Sequence, residues 1–154
     1  MDRSGVINLE SAEETVAFGQ AFAAYLKPGN VVCFFGELGT GKTTLIKGIV
    51  QALTDTDPKS ICSPTFAYLN IYQGEKTVFH FDLYRLDDVE DFLSLGFEEY
   101  LLADGICCIE WSERIEPILP DHAIRIHLVY SGQDKRKISY EIPKRPLSDN
   151  SCAR

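Results

Sequence analysis

The sequence predicts an α/β fold: buried parallel strands form a sheet core, helices cover both faces, and antiparallel strands extend it. Three observations carry this expectation. Val31–Phe35 and residues 106–109 are short, continuous apolar runs, the pattern of strands buried on both faces. The first run leads through a glycine-rich loop into a helix-like stretch, Lys42–Leu53. Two further pairs of β-like runs are joined by short turns, over residues 66–83 and 123–142. The chain has 154 residues, which suits one domain, expected over residues 1–143. A chain of this size buries about 70% of the surface its unfolded form exposes, enough for a core without disulfides.

The elements follow in order. Residues 11–26 read as a helix: Ser11 with Glu14 three residues on is a capping-box pattern. Val16, Phe18, Phe22, Tyr25 and Leu26 line its apolar side, and Pro28-Gly29 ends it. After Leu53 the stretch 54–63 is polar, contains Pro58 and reads as a loop. Residues 66–72 and 77–83 flank Gln73-Gly74-Glu75-Lys76 as a β-hairpin. Residues 87–93 form a short helix with an acidic first turn, and Phe97–Leu102 another. Residues 123–130 alternate, with Arg125 and His127 opposite Ile124, Ile126 and Leu128, and pair with 137–142 across a turn at 131–134. The polar tail over 144–154 is expected to be disordered.

Lys and Arg number 15 against 23 Asp and Glu, a net charge of −8. Such a chain lacks the positive field on which non-specific nucleic-acid binding depends. The five cysteines include no C-x-x-C pair, and neither they nor the three histidines have metal-ligand spacing. Cys33, Cys107 and Cys108 sit in apolar runs and read as small core residues. Unpaired thiols point to a reducing cytoplasm. The N-terminus opens no signal peptide, and no apolar run has the length of a membrane span.

The chemistry centres on Gly36-Glu37-Leu38-Gly39-Thr40-Gly41-Lys42-Thr43, which fits G-x-x-x-x-G-K-[ST] between a buried strand and a helix. Glycines let the backbone approach a phosphate closely, and the helix N-terminus attracts an anion. In this pattern Lys42 reaches the β- and γ-phosphates and the Thr43 hydroxyl binds Mg²⁺. Thr44 either contacts the α-phosphate or caps the helix. The fold expectation is therefore a sheet core of the P-loop NTPase kind, with ATP and Mg²⁺ as its ligands.

Turnover needs an acid for the metal and an oriented water. Val78-Phe79-His80-Phe81-Asp82 and Ile106-Cys107-Cys108-Ile109-Glu110 are both apolar runs ending in an acid, the Walker-B layout. Spacing does not say which of Asp82 and Glu110 touches the metal and which orients water. Thr65, in Ser63-Pro64-Thr65-Phe66, is either a γ-phosphate sensor or part of a proline turn. Trp111, the single tryptophan, stacks on a base, anchors a partner, or packs at the core boundary. Arg85 and Arg114 are candidate charge stabilisers.

Taken in order, the strings GELGTGKTT, SPTF, HFDLYRL, LGFEEYL and IEWSERI resemble the TsaE family. These are small bacterial P-loop ATPases of tRNA threonylcarbamoyladenosine biosynthesis, and the likeness runs from about residue 10 to residue 142. The resemblance implies that Lys42 and Thr43 belong to the phosphate and metal site, that Thr65 lies in a switch-like loop, and that Asp82, Glu110 and Trp111 match family positions. It implies TsaD and TsaB as partners, with tRNA met only through their complex. It implies slow ATP hydrolysis alone and faster hydrolysis in the complex, permitting repeated rounds of threonylcarbamoylation of the adenosine next to the anticodon. The main rival is a small P-loop metabolite or nucleoside kinase, which needs an acceptor pocket and often an Arg-rich lid; no Arg cluster is present. A GTPase is opposed by the absence of an Asn-Lys-x-Asp loop.

Overall fold

The glycine-rich loop sits where a parallel sheet strand hands over to a helix, and the rest of the fold supports that junction. The structure is a computed structural model and describes residues 2–144. The expected tail over 144–154 lies, apart from Lys144, outside the described residues. In chain order the elements are β1 (Ser4–Leu9), α1 (Ala12–Ala23), β2 (Val31–Phe35), α2 (Lys42–Leu53), β3 (Leu69–Tyr72), β4 (Val78–Asp82), α3 (Val89–Ser94), β5 (Ile106–Glu110), β6 (Ile124–Tyr130) and β7 (Arg136–Glu141). Short 3₁₀ segments cover Pro58–Ser60, Phe97–Leu102 and Ser112–Ile118.

All seven strands form one sheet in the order β1-β7-β6-β2-β5-β4-β3. β6, β2, β5 and β4 run parallel; β3 pairs antiparallel with β4 at one edge, and at the other β7 pairs antiparallel with β6 and β1 antiparallel with β7. This is the expected α/β architecture. The parallel strands are apolar throughout because both sheet faces are covered. On one face Phe22, Leu45 and Ile49 of α1 and α2 pack on Val32, Phe34, Cys108 and Ile126. On the other, Phe92 and Ile115 pack on Val31, Phe81, Cys107 and Ile109. Neighbouring Cys107 and Cys108 thus enter different cores, as alternation along a strand requires.

α1 begins at the expected cap: the Ser11 hydroxyl accepts from Glu14 N at 3.1 Å. The Glu14 carboxylate reaches back to Glu10 N, one residue beyond the usual box partner. The helix ends at Ala23, short of the expected Leu26. Residues 24–26 tighten into i→i−3 bonds, Ala24 N to Ala21 O, Tyr25 N to Phe22 O and Leu26 N to Ala23 O, ahead of Pro28. α1 and α2 approach at backbone distance through glycine: a Cβ on Gly48 would fall 2.2 Å from Val16 O.

Two further features depart from the sequence expectation. β1 is an added strand, paired antiparallel with β7 from Ser4↔Glu141 to Leu9↔Arg136. It is a half-exposed edge, so its apolar alternation is faint. The first hairpin strand starts at Leu69, not at residue 66. Tyr68 N bonds to Pro64 O at 2.8 Å with Tyr68 at φ 68°, so residues 65–67 turn and do not extend, leaving Phe66 82% exposed. Among the described residues, no helix is long and apolar enough to cross a membrane.

Candidate nucleotide site

β2 is buried through Phe34, and the chain leaves it at Gly36 to loop over the carboxyl ends of the parallel strands. Gly36 has no room for a side chain: its Cβ would lie 2.6 Å from both Leu128 O and Thr40 Oγ1. Thr40 turns back on the loop, its buried hydroxyl donating to Glu37 O at 2.8 Å. The second hairpin clamps the loop from outside. Tyr130 OH donates to Gly39 O at 2.6 Å, and Arg136 Nε donates to Thr40 O at 2.9 Å. In a trans peptide the N–H lies opposite the C=O, so the latter bond turns the Gly41 N–H away from Arg136. Gly41 caps α2 at φ 99°, and the helix starts at Lys42.

Lys42 is 4% exposed, and its Nζ donates to Gly36 O at 2.5 Å and lies 3.9 Å from the centre of the Trp111 ring. Burial pushes the Lys42 ammonium below its ordinary range, while Glu110, Glu113 and Asp82 work in the opposite direction. Trp111 follows β5 directly in a left-handed conformation, φ 60°, and its ring also meets Tyr84 at 5.0 Å. The ring therefore faces the lysine end of the loop.

Asp82 and Glu110 are direct register partners across β4 and β5. Partners in register share a sheet face, so the two acids converge. Thr43 Oγ1 donates to Glu110, 2.9 Å from Oε1 and 3.1 Å from Oε2. His80 Nε2 lies 2.7 Å from Glu110 Oε2. Ser63 Oγ donates to Asp82 Oδ2 and sits 3.4 Å from Glu110 Oε2. Tyr84 N donates to Asp82 Oδ1 at 3.0 Å.

All of these groups but His80 bound a cavity of about 350 Å³. Of the residues singled out in the sequence, Leu38, Gly39, Gly41, Lys42, Thr43, Thr44, Thr65, Asp82, Glu110 and Trp111 line it. Gly36, Glu37 and Thr40 lie outside the lining and shape the loop through the bonds above. Arg85 and Arg114 are not in the lining either: Arg85 covers the Phe66 ring at 4.8 Å, and Arg114 donates to Tyr84 O at 3.3 Å. Sequence reasoning missed Ser63, His80, Tyr84, Tyr130 and Arg136. His80 was within reach, since residues two apart on a strand share a face and Asp82 was already in view.

The residues fit an anionic ligand with a hard cation. The loop excludes a Cβ at Gly36, and a buried ammonium stands beside it. Among the described residues, no group of three or more His, Cys, Asp and Glu is placed to hold a metal by itself. Thr43, Asp82 and Glu110 give a partial oxygen set, as suits Mg²⁺, which keeps waters and takes phosphate oxygens.

A family model described as threonylcarbamoyl adenosine biosynthesis protein TsaE matches residues 9–138. The chain is similar to the TsaE protein of Rickettsia bellii, 43% identical over 129 residues, covering 83% of this chain and 88% of that one. It is similar to the TsaE protein of Treponema pallidum, 37% identical over 129 residues, covering 84% and 94%. Its fold matches the crystal structure of Bacillus subtilis YdiB with a TM-score of 0.74 at 31% identity, covering 92% of this chain and 87% of that one. With the family match spanning most of the chain and the loop, acids and tryptophan assembled at one cavity, this chain belongs to the TsaE family.

Proposed function

We propose that this chain is an Mg²⁺-dependent ATPase of tRNA threonylcarbamoyladenosine biosynthesis that joins TsaD–TsaB and enables repeated turnover of that complex in the cytoplasm. The observation that carries the reading is the meeting of Thr43 and Glu110, 67 positions apart in sequence and 2.9 Å apart in space. A strand-end acid on the loop threonine, beside a buried loop lysine, is an arrangement for a metal-bound phosphate chain.

Each residue then has a role. Lys42 exchanges the Gly36 carbonyl for the β- and γ-phosphate oxygens. Gly39, Gly41 and Thr44 place backbone and hydroxyl groups along the phosphates. Thr43, Asp82 and Glu110 would supply the oxygens that hold the metal. Glu110 orients the attacking water, and Thr65 stands at the γ-phosphate end. Trp111 works at that end too, against Lys42, and not on the base. Bound ATP supplies the phosphoanhydride, and Mg²⁺ neutralises charge as it breaks.

Two observations support partner activation. None of the described residues lining the cavity is arginine, and such an arginine is worth about 10³–10⁵ in rate. The net charge of −8 disfavours tight tRNA binding by this chain alone. The test is ATP hydrolysis by the purified protein, alone and with TsaD–TsaB. Strong stimulation that Lys42→Ala abolishes is the expected result. Fast hydrolysis alone, unchanged by the pair, overturns the reading and favours a small-molecule phosphate acceptor, as in a kinase.

A further inference from the structure

His80 lies two residues before Asp82 on β4, on the same face of the sheet. It is 0% exposed, in a strand whose five residues are all buried. Its Nε2 meets Glu110 Oε2 at 2.7 Å, while Nδ1 is buried without a hydrogen-bond partner. With the carboxylate as acceptor, Nε2 is the nitrogen that carries the hydrogen. Leaving a buried ring nitrogen unpaired costs about 1–3 kcal/mol. Valine or isoleucine would fill a buried strand position without that cost. What the imidazole adds, and an aliphatic side chain does not, is the bond to Glu110.

We propose that His80 is a positioning residue: its Nε2–H pins Glu110 Oε2 and so fixes the orientation of the carboxylate toward Thr43 and the cavity. The proposal rests on the hydrolysis reading above. With Oε2 held by His80, Oε1 is the oxygen nearer to Thr43, at 2.9 Å against 3.1 Å. The last torsion of a glutamate is broad and roughly two-fold, so without this tether the carboxylate is left to the rotatable Thr43 and Ser63 hydroxyls alone. Loss of the tether misaligns the water-orienting group and leaves the phosphate loop intact. Turnover falls, and nucleotide affinity does not.

The first test needs no activity. In the nucleotide-free full chain, imidazole nitrogen–proton correlation spectra report the tautomer of each of the three histidines. His80 is expected in the Nε2–H form, with a slowly exchanging proton that shifts in Glu110→Gln. The Nδ1–H form, or a signal indifferent to Glu110→Gln, overturns the proposal. The second test is single-turnover hydrolysis with ATP affinity from calorimetry. His80→Leu is expected to lower the rate about 10–100-fold, the range for lost outer-shell support, with Kd changed by less than about threefold. His80→Gln, whose amide N–H reaches toward the same oxygen, recovers most of the rate. An unchanged rate in His80→Leu, or equal losses of rate and affinity that His80→Gln does not recover, overturns the proposal. If His80→Leu does not fold, His80→Gln and the spectra decide. Failure of the hydrolysis reading looks different: wild-type protein releases no phosphate even with TsaD–TsaB, and the spectra still judge the His80–Glu110 bond.

Discussion

The Thr43 hydroxyl, on the first turn of α2, donates to the Glu110 carboxylate at the end of β5, 2.9 Å away. Asp82 stands beside Glu110 in register but is tied elsewhere, to Ser63 and to Tyr84 N. The two acids share Ser63 but differ in their other partners, Thr43 and His80 for Glu110 and Tyr84 N for Asp82, and are separable by substitution. Glu110→Ala is expected to slow hydrolysis by about 10²–10⁴, the usual worth of a positioned acid or base, while ATP still binds. Asp82→Ala is expected to lose the Mg²⁺-dependent turnover itself. Mg²⁺ titrations of hydrolysis and calorimetric ATP binding on both variants check this. Loss of binding in Glu110→Ala with binding kept in Asp82→Ala reverses the roles. Full hydrolysis in Asp82→Ala removes it from the site.

The α1–α2 contact sets where that threonine stands. Replacing a mid-helix glycine by alanine normally stabilises a helix by about 0.5–1 kcal/mol. At Gly48 the new Cβ falls 2.2 Å from Val16 O, a backbone atom that yields only if the helices part. Gly48→Ala is expected to destabilise by about 1–3 kcal/mol, the usual cost of overpacking, and to weaken nucleotide binding as α2 shifts. Urea midpoints of the two proteins check the sign. A higher midpoint in Gly48→Ala shows that the helices have slack.

How far the sequence speaks depends on how local each signal is. The bounds of α2 and the burial of β2 and β5 were legible because the apolar period and the Gly-Lys-Thr junction are contiguous in sequence. The convergence of Asp82 and Glu110 was legible only as two strand ends, since their register partnership is made by pairing across the sheet. Tyr130 and Arg136 were illegible as loop clamps. They reach Gly39 and Thr40 from 91 and 96 positions away, through a hairpin whose place beside the loop is set by strand order. β1 was missed because an edge strand with one wet face carries little alternation. The Thr65 expectation named the right loop, but its neighbour Ser63 is the residue that reaches the acids.

The buried thiols make a pH prediction. Burial pushes Cys33 and Cys107 from an ordinary 9.0 up to about 12. Between those values the unfolded chain has lost protons that the folded chain keeps. Stability therefore falls as pH rises through this window and is unaffected below it. Cys107→Ala is expected to flatten the decline, even though it lowers stability at neutral pH through the lost packing. Urea midpoints from about pH 8 to 11 on both proteins measure the slopes. Parallel curves overturn the assignment. Exposed Cys62 should react with an alkylating reagent in the folded state, whereas Cys33, Cys107 and Cys108 should react only on unfolding.

Trp111 gives the proposed nucleotide site its own reporter. It is the single tryptophan, and its ring lies 3.9 Å from Lys42 Nζ. A cation on an indole face is worth about 0.5–2 kcal/mol, more when desolvated. If Lys42 moves to a phosphate, the charge over the ring changes, and the emission of Trp111 should change with it. ATP is expected to shift the fluorescence of the wild-type protein saturably. Lys42→Met should abolish the response and start from an altered baseline, because the ring has lost its cation. Trp111→Leu frees the lysine from the ring without removing it. That variant should bind ATP at least as well as wild type yet hydrolyse it more slowly, if the ring steers Lys42 toward the γ-phosphate end. A Trp111→Leu protein that loses ATP binding would instead place the ring against the nucleotide itself, restoring base stacking as its role.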